Sequence, residues 1–326
     1  MTDNHFGDNR EHNHDADEDS QITYLKNLPP AGYLHEQNWA ERNGFPFWLL
    51  AFVWVVVSFL LFQLVGTAVT VGYLFFTSDT PQNITVTDIL EHIDVLFIAN
   101  STSQILFLGL ATWFFTGLLT KGSRSEFLRL KTDRATWSVI GLTAILIVAI
   151  QPVVWLLAWL NGLLPFSESY MAFEEGQMDL LKNFLIGDHL ILLTLIHVAL
   201  VPSICEEVLF RGYFQRAIEK SWGIWAAIII GGLLFGFYHI RLTQVIPLAV
   251  IGMLLAWIVW KSDSLYPAIA GHFVNNGGSV LVASLYPDYM MEQMTAAELP
   301  PLWLLFISIA AALMLLRTIN QTTRRV

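Results

Sequence analysis

No charged residue occurs between Phe47 and Phe76, and long apolar runs recur from there to Leu316. About 20 mostly apolar residues are enough to cross ~30 Å of hydrocarbon as a helix. Eight segments qualify: Phe47–Phe76, Val95–Leu119, Trp137–Leu164, Leu190–Arg216, Gly223–Ile240, Gln244–Trp260, Leu265–Leu285 and Leu302–Leu316. The composition agrees, at 55% hydrophobic and 13% charged residues; the charged share is about half that of a soluble domain. The expected fold class is therefore all-α, a polytopic membrane helix bundle with about eight transmembrane helices.

The ends differ from the middle. Residues 1–44 are polar and acidic, and too poor in large apolar side chains to fold alone. They are expected to form a disordered cytoplasmic tail. His5, His12 and His14 lie there among Asp and Asn, where a solvated tail outweighs metal scavenging. Residues 45–187 are expected to hold N-terminal transmembrane helices and loops, 188–286 a helical core, and 287–326 a last transmembrane helix with a basic tail. The net charge of −10 belongs to solvated ends and loops rather than to a ligand site. The start of the sequence lacks the basic-then-apolar pattern of a cleavable signal peptide. With eight spans, every Lys and Arg except Lys182 and Arg241 falls on one side, which places both termini in the cytoplasm. A multi-pass protein of a bacterial plasma membrane is the expected setting.

Ionisable side chains within spans are costly and mark function. The first three spans hold almost none. Glu206, Glu207 and Arg211 lie on the fourth, His239 on the fifth, and His272, Asn275 and Asn276 on the seventh. Glu207 and Arg211 are four residues apart and share a helix face, as do His272 and Asn276. On spacing alone the first pair reads as a salt bridge. Glu206 is rotated by about 100° from Glu207 and faces a different neighbour. Phe235 shares a face with His239 and is placed to wall the site. Counted along the helices at ~1.5 Å per residue, these groups fall in one layer.

A lone histidine in a span is as often a packing residue as a functional one. A carboxylate, two imidazoles and an amide on three helices weaken that reading. The carboxylate can take a proton from water, and the imidazoles can orient that water, bind a metal or donate to an oxyanion, as can the amide. This is an inventory for peptide hydrolysis. Glu206, His239 and His272 are also the ligand set for a divalent metal such as zinc, if the reaction is metal-dependent. Cys205 is expected to be a packing thiol, with a Cys–His nucleophile as the lesser alternative.

The segments "EEVLFR" (Glu206–Arg211), "FGFYH" (Phe235–His239) and "HFVNN" (His272–Asn276) resemble, in order, the EExxxR, FxxxH and HxxxN motifs of the CAAX-protease and bacteriocin-processing (Abi) family of intramembrane endopeptidases. The resemblance covers about Leu190 to Leu285. It implies that Glu206 activates the hydrolytic water, with Glu207 and Arg211 as its supporting pair. It implies that His239 positions the water and that His272 and Asn276 stabilise the oxyanion. The implied substrate is a CAAX-like or other membrane-associated peptide or protein, with no nucleic acid involved. Two rival functions share these residues: a catalytically inactive peptide-binding scaffold or immunity protein, and a proton-coupled transporter. Transport requires charged groups along a continuous path, whereas here they concentrate in one layer.

Overall fold

The computed structural model describes residues 37–78, 81–186, 191–287 and 298–323. His5, His12, His14, Arg10, Lys26, Arg324 and Arg325 lie outside them. The first described helix, α1 (Trp39–Arg42), falls within the stretch expected to be a disordered tail. A capping box between Asn38 and Glu41 closes this single turn. The Asn38 amide also donates to the Leu119 carbonyl at 3.1 Å, which docks the turn against a later helix.

The remaining helices are α2 (Phe47–Thr77), α3 (Val86–Glu91), α4 (Ile93–Leu119), α5 (Arg124–Phe127), α6 (Arg134–Ala149), α7 (Gln151–Gly162), α8 (Glu168–Ile186), α9 (Ile191–Trp222), α10 (Ile224–Tyr238), α11 (Val245–Ser262), α12 (Tyr266–Leu285) and α13 (Leu302–Thr323). No strand occurs among the described residues. The all-α expectation is met, and helices occupy all eight expected span positions.

The count of eight spans is not confirmed. Five helices (α2, α4, α9, the segment Leu242–Ser262 that contains α11, and α13) are long and apolar enough to cross a membrane. A sixth arises if α6 and α7 form one span bent by 48°. Pro152 sits in the first turn of α7, where its missing N–H costs nothing and the break is tolerated. α10 has only 15 residues. α12 has 20 and carries His272, Asn275 and Asn276 among three Gly positions, and it is not among the candidate spans.

α10 packs most extensively on α11, α12 packs on α6, and α2 on α4. Close approach explains the first pairing. A Cβ on Gly236 of α10 would lie 2.7 Å from the Val245 carbonyl oxygen and 3.1 Å from the Ala249 nitrogen, so only glycine fits. Gly271 plays the same part for α12, where a Cβ would meet Thr143 of α6 at 2.8 Å. Large apolar side chains such as Val56, Leu60 and Leu64 on α2, and Phe306 and Leu313 on α13, face outward. An apolar exterior around a partly polar interior is the pattern of a membrane bundle.

One end of the bundle is tied by charge. The Arg129 guanidinium contacts Glu219 at 3.0 Å and Asp263 at 2.8 Å, and Lys131 also pairs with Asp263. Arg216 bonds Glu219 at 3.1 Å and the Phe127 carbonyl at 3.2 Å. The Arg129 carbonyl accepts from the Leu265 N–H at 2.9 Å. The segment after α5 is thereby fastened to the ends of α9 and α11.

Candidate active site

The site is built on α9, α10 and α12. Around the two acids, α9 is irregular: π-helical turns at Leu195–Leu200 and Val208–Phe214 flank the α-helical stretch Val201–Glu207. Such turns occur frequently at functional sites, because an extra residue per turn re-aims the side chains. Pro202 adds a second irregularity. It has no N–H for the carbonyl four residues earlier, that of Val198.

Glu207 is fully buried and Arg211 is 2% exposed. The Arg211 Nη1 donates to Glu207 Oε1 at 2.7 Å, which confirms the expected pair. Nη2 donates to the Gly252 carbonyl on α11 at 3.3 Å, and the guanidinium stacks 4.2 Å from the centroid of the Phe235 ring. The same Glu207 oxygen accepts from His272 Nδ1 at 2.9 Å. A carboxylate is acceptor-only, so His272 carries its proton on Nδ1.

Glu206 points in a different direction from Glu207, as the rotation of about 100° between neighbours requires. Its Oε2 lies 3.8 Å from His239 Nε2 and 4.0 Å from His272 Nε2, and this buried oxygen has no hydrogen-bond partner. The expectation that the two acids face separate partners holds for Arg211 but not for His272. The two acids meet opposite nitrogens of that one ring. His239 Nδ1 is 2.8 Å from the Phe235 carbonyl and therefore donates to it, which leaves the neutral ring with a lone pair on Nε2 facing Glu206. Phe235 lies edge-on to both imidazoles, with centroid distances of 4.8 Å to His239 and 5.7 Å to His272. It thus lies beside both rings.

Asn276 Nδ2 donates to the Val198 carbonyl at 3.1 Å and to His272 Nε2 at 3.3 Å. The first bond sets the amide orientation, because a flipped amide would turn its oxygen onto a carbonyl. Asn276 Oδ1 accepts from Asn275 Nδ2 at 3.2 Å, and Asn275 Oδ1 accepts from Gln151 Nε2 at 3.3 Å. Gln151, Asn275 and the Val198 carbonyl thus belong to the site's support, although sequence reasoning gave them no role there. Pro202 inside the apolar run was the one signal pointing to Val198. The other expected residues, Glu206, Glu207, Arg211, Phe235, His239, His272 and Asn276, come together.

Cys205 is buried and sits beside Gly109 of α4, where a Cβ on that glycine would be 3.4 Å from the sulfur. That is a packing position. Among the described residues no group of three His, Cys, Asp or Glu is arranged to hold a metal ion. Glu206 Oε2 lies 3.8 Å from His239 Nε2 and 4.0 Å from His272 Nε2, so the three candidate ligands face one another.

Residues 188–278 match a family model described as Rce1-like, type II CAAX prenyl endopeptidase Rce1-like. The matched segment contains all three motifs, Glu206–Arg211, Phe235–His239 and His272–Asn276. It supports an intramembrane protease that acts on a peptide or protein substrate. Neither the curated proteins nor the solved structures contain a match.

Proposed function

We propose that this chain, which carries an Rce1-like type II CAAX prenyl endopeptidase domain over residues 188–278, hydrolyses a peptide bond of a CAAX-like or other membrane-associated substrate with water activated by Glu206. The observation that carries this reading is the buried, unpartnered Glu206 Oε2 facing Nε2 of His239 at 3.8 Å. That gap is too long for a direct hydrogen bond, yet one water oxygen about 2.8 Å from each atom bridges it. Both atoms are acceptors, so the water donates one hydrogen to each and keeps a lone pair for attack.

The steps follow from these roles. Glu206 takes a proton as the water oxygen bonds to the scissile carbonyl carbon. The oxyanion takes the Asn276 amide hydrogen that rests on His272 Nε2, while the other stays on the Val198 carbonyl. His272 joins it only as imidazolium, since its neutral Nε2 is an acceptor, and Glu207 at Nδ1 supports that charge. Protonated Glu206 then delivers its proton to the leaving nitrogen as the C–N bond breaks, giving a carboxylic acid and an amine. Phe235 and Arg211 hold the imidazoles and Glu207 in place without touching the reacting atoms.

Orientation and setting extend this reading. The basic knot of Arg129, Lys131 and Arg216 supports a cytoplasmic position for that end of the bundle, and with it cytoplasmic termini, in a bacterial plasma membrane. The test is cleavage of a prenylated CAAX-like peptide by purified protein in detergent, with Cys205→Ala as the comparison. We expect cleavage by both proteins. A requirement for the Cys205 thiol would replace this mechanism with a covalent one.

A further inference from the structure

The loop after His239 is strained and strapped. α10 ends at Tyr238, and Ile240 adopts φ +54°. A β-branched side chain is disfavoured in that left-handed region, so the surroundings must impose it. They are supplied by α8, a helix of mixed acidic and apolar residues that is not among the candidate spans. Tyr170 Oη donates to the Ile240 carbonyl at 3.1 Å and accepts from the Leu242 N–H at 2.7 Å. One hydroxyl therefore closes the left-handed turn from both sides. Around it, Glu174 accepts from the Thr243 hydroxyl at 2.5 Å and pairs with Arg241 at 3.7 Å. From the end of α7, Asn161 bonds the Leu242 carbonyl and the Ile246 N–H, each at 2.8 Å.

His239 is the residue directly before this turn, at the C-cap of α10. Its ring is hydrogen-bonded to the Phe235 carbonyl and rests against the Phe235 ring. We infer that Tyr170 is a positioning residue that fixes His239 Nε2 against Glu206 by holding Ile240 in its left-handed conformation. Tyr170 does not touch the reacting atoms. The inference rests on the hydrolytic reading above for its catalytic consequence, but not for its structural one.

The test uses the full-length protein in detergent and the variant Tyr170→Phe, which keeps the ring and removes both hydrogen bonds. With ¹⁵N-labelled histidine, the His239 resonance is assigned by its loss in His239→Gln. We expect Tyr170→Phe to shift the His239 signal and leave that of His272 in place. On a cleavable peptide, we expect kcat to fall by about tenfold with KM nearly unchanged, measured well below the Tm of either protein. A lowered Tm with an unmoved His239 signal and unchanged kcat would overturn the inference and leave Tyr170 a purely structural residue. Failure of the wild-type protein to cleave any peptide would count against the hydrolytic reading, and the His239 signal would still decide the role of Tyr170.

Discussion

Asn276 donates to the carbonyl of Val198 at 3.1 Å, and Pro202, four residues further on, has no N–H to compete for that carbonyl. A proline in the middle of a helix costs about 3 kcal/mol relative to alanine. Here the same residue frees the acceptor that orients an amide on another helix. Pro202→Ala restores an N–H that competes for Val198. The variant should unfold at the same or a higher temperature than wild type, yet show a kcat reduced by about tenfold or more. Paired thermal melts and peptide-cleavage kinetics check this. A more stable protein with full activity would show that the Val198 bond does not hold Asn276.

Glu207 joins a buried cation to a site imidazole. Removing it leaves Arg211 buried and unpaired, and we expect Glu207→Ala to lose about 3–5 kcal/mol of stability. Adding Arg211→Met should recover part of that loss, since it removes the uncompensated buried charge. Activity should stay low in the double variant, because His272 still lacks its Nδ1 partner. Denaturation in mixed micelles and cleavage assays on the same preparations separate the two roles.

The charge knot at the basic end predicts an acid response. Partial burial pushes the Asp263 carboxyl up, but the Lys131 hydrogen bond and the Arg129 guanidinium outweigh it and hold the group below the ordinary carboxylate range. An unfolded Asp titrates near about 3.9. The stabilisation is therefore fully present above that pH and is lost as pH falls through the lower, folded value. The screened, half-exposed position keeps the effect small. Melting curves between pH 7 and pH 3 should converge for wild type and Asp263→Asn at the acid end and separate at neutrality, with wild type the more stable there.

Spacing within one helix was readable before the structure. Glu207 with Arg211, Phe235 with His239, and His272 with Asn276 all meet as their four-residue intervals require. Relations between helices were not readable in the same way. That Glu206 and Glu207 converge on opposite nitrogens of His272 depends on how α9 crosses α12, which no interval encodes. The Val198 carbonyl is backbone and leaves no residue-type signal beyond Pro202. α8 was passed over as part of a region of helices and loops, because its acids mask an amphipathic helix. Eight apolar segments were visible, but α10 is short and α12 polar, so their helices do not by themselves qualify as spans. Both carry site residues, and the polarity that obscures α12 is the site itself.

The central claim is that Glu206 activates the water, and Glu206→Gln tests it most directly. The substitution keeps size and hydrogen-bonding capacity but removes the proton acceptor. Folded Glu206→Gln, with a Tm close to wild type, should cleave the peptide at least about a thousandfold more slowly than wild type, with substrate binding retained. A folded Glu206→Gln protein that cleaves at the wild-type rate would contradict the account.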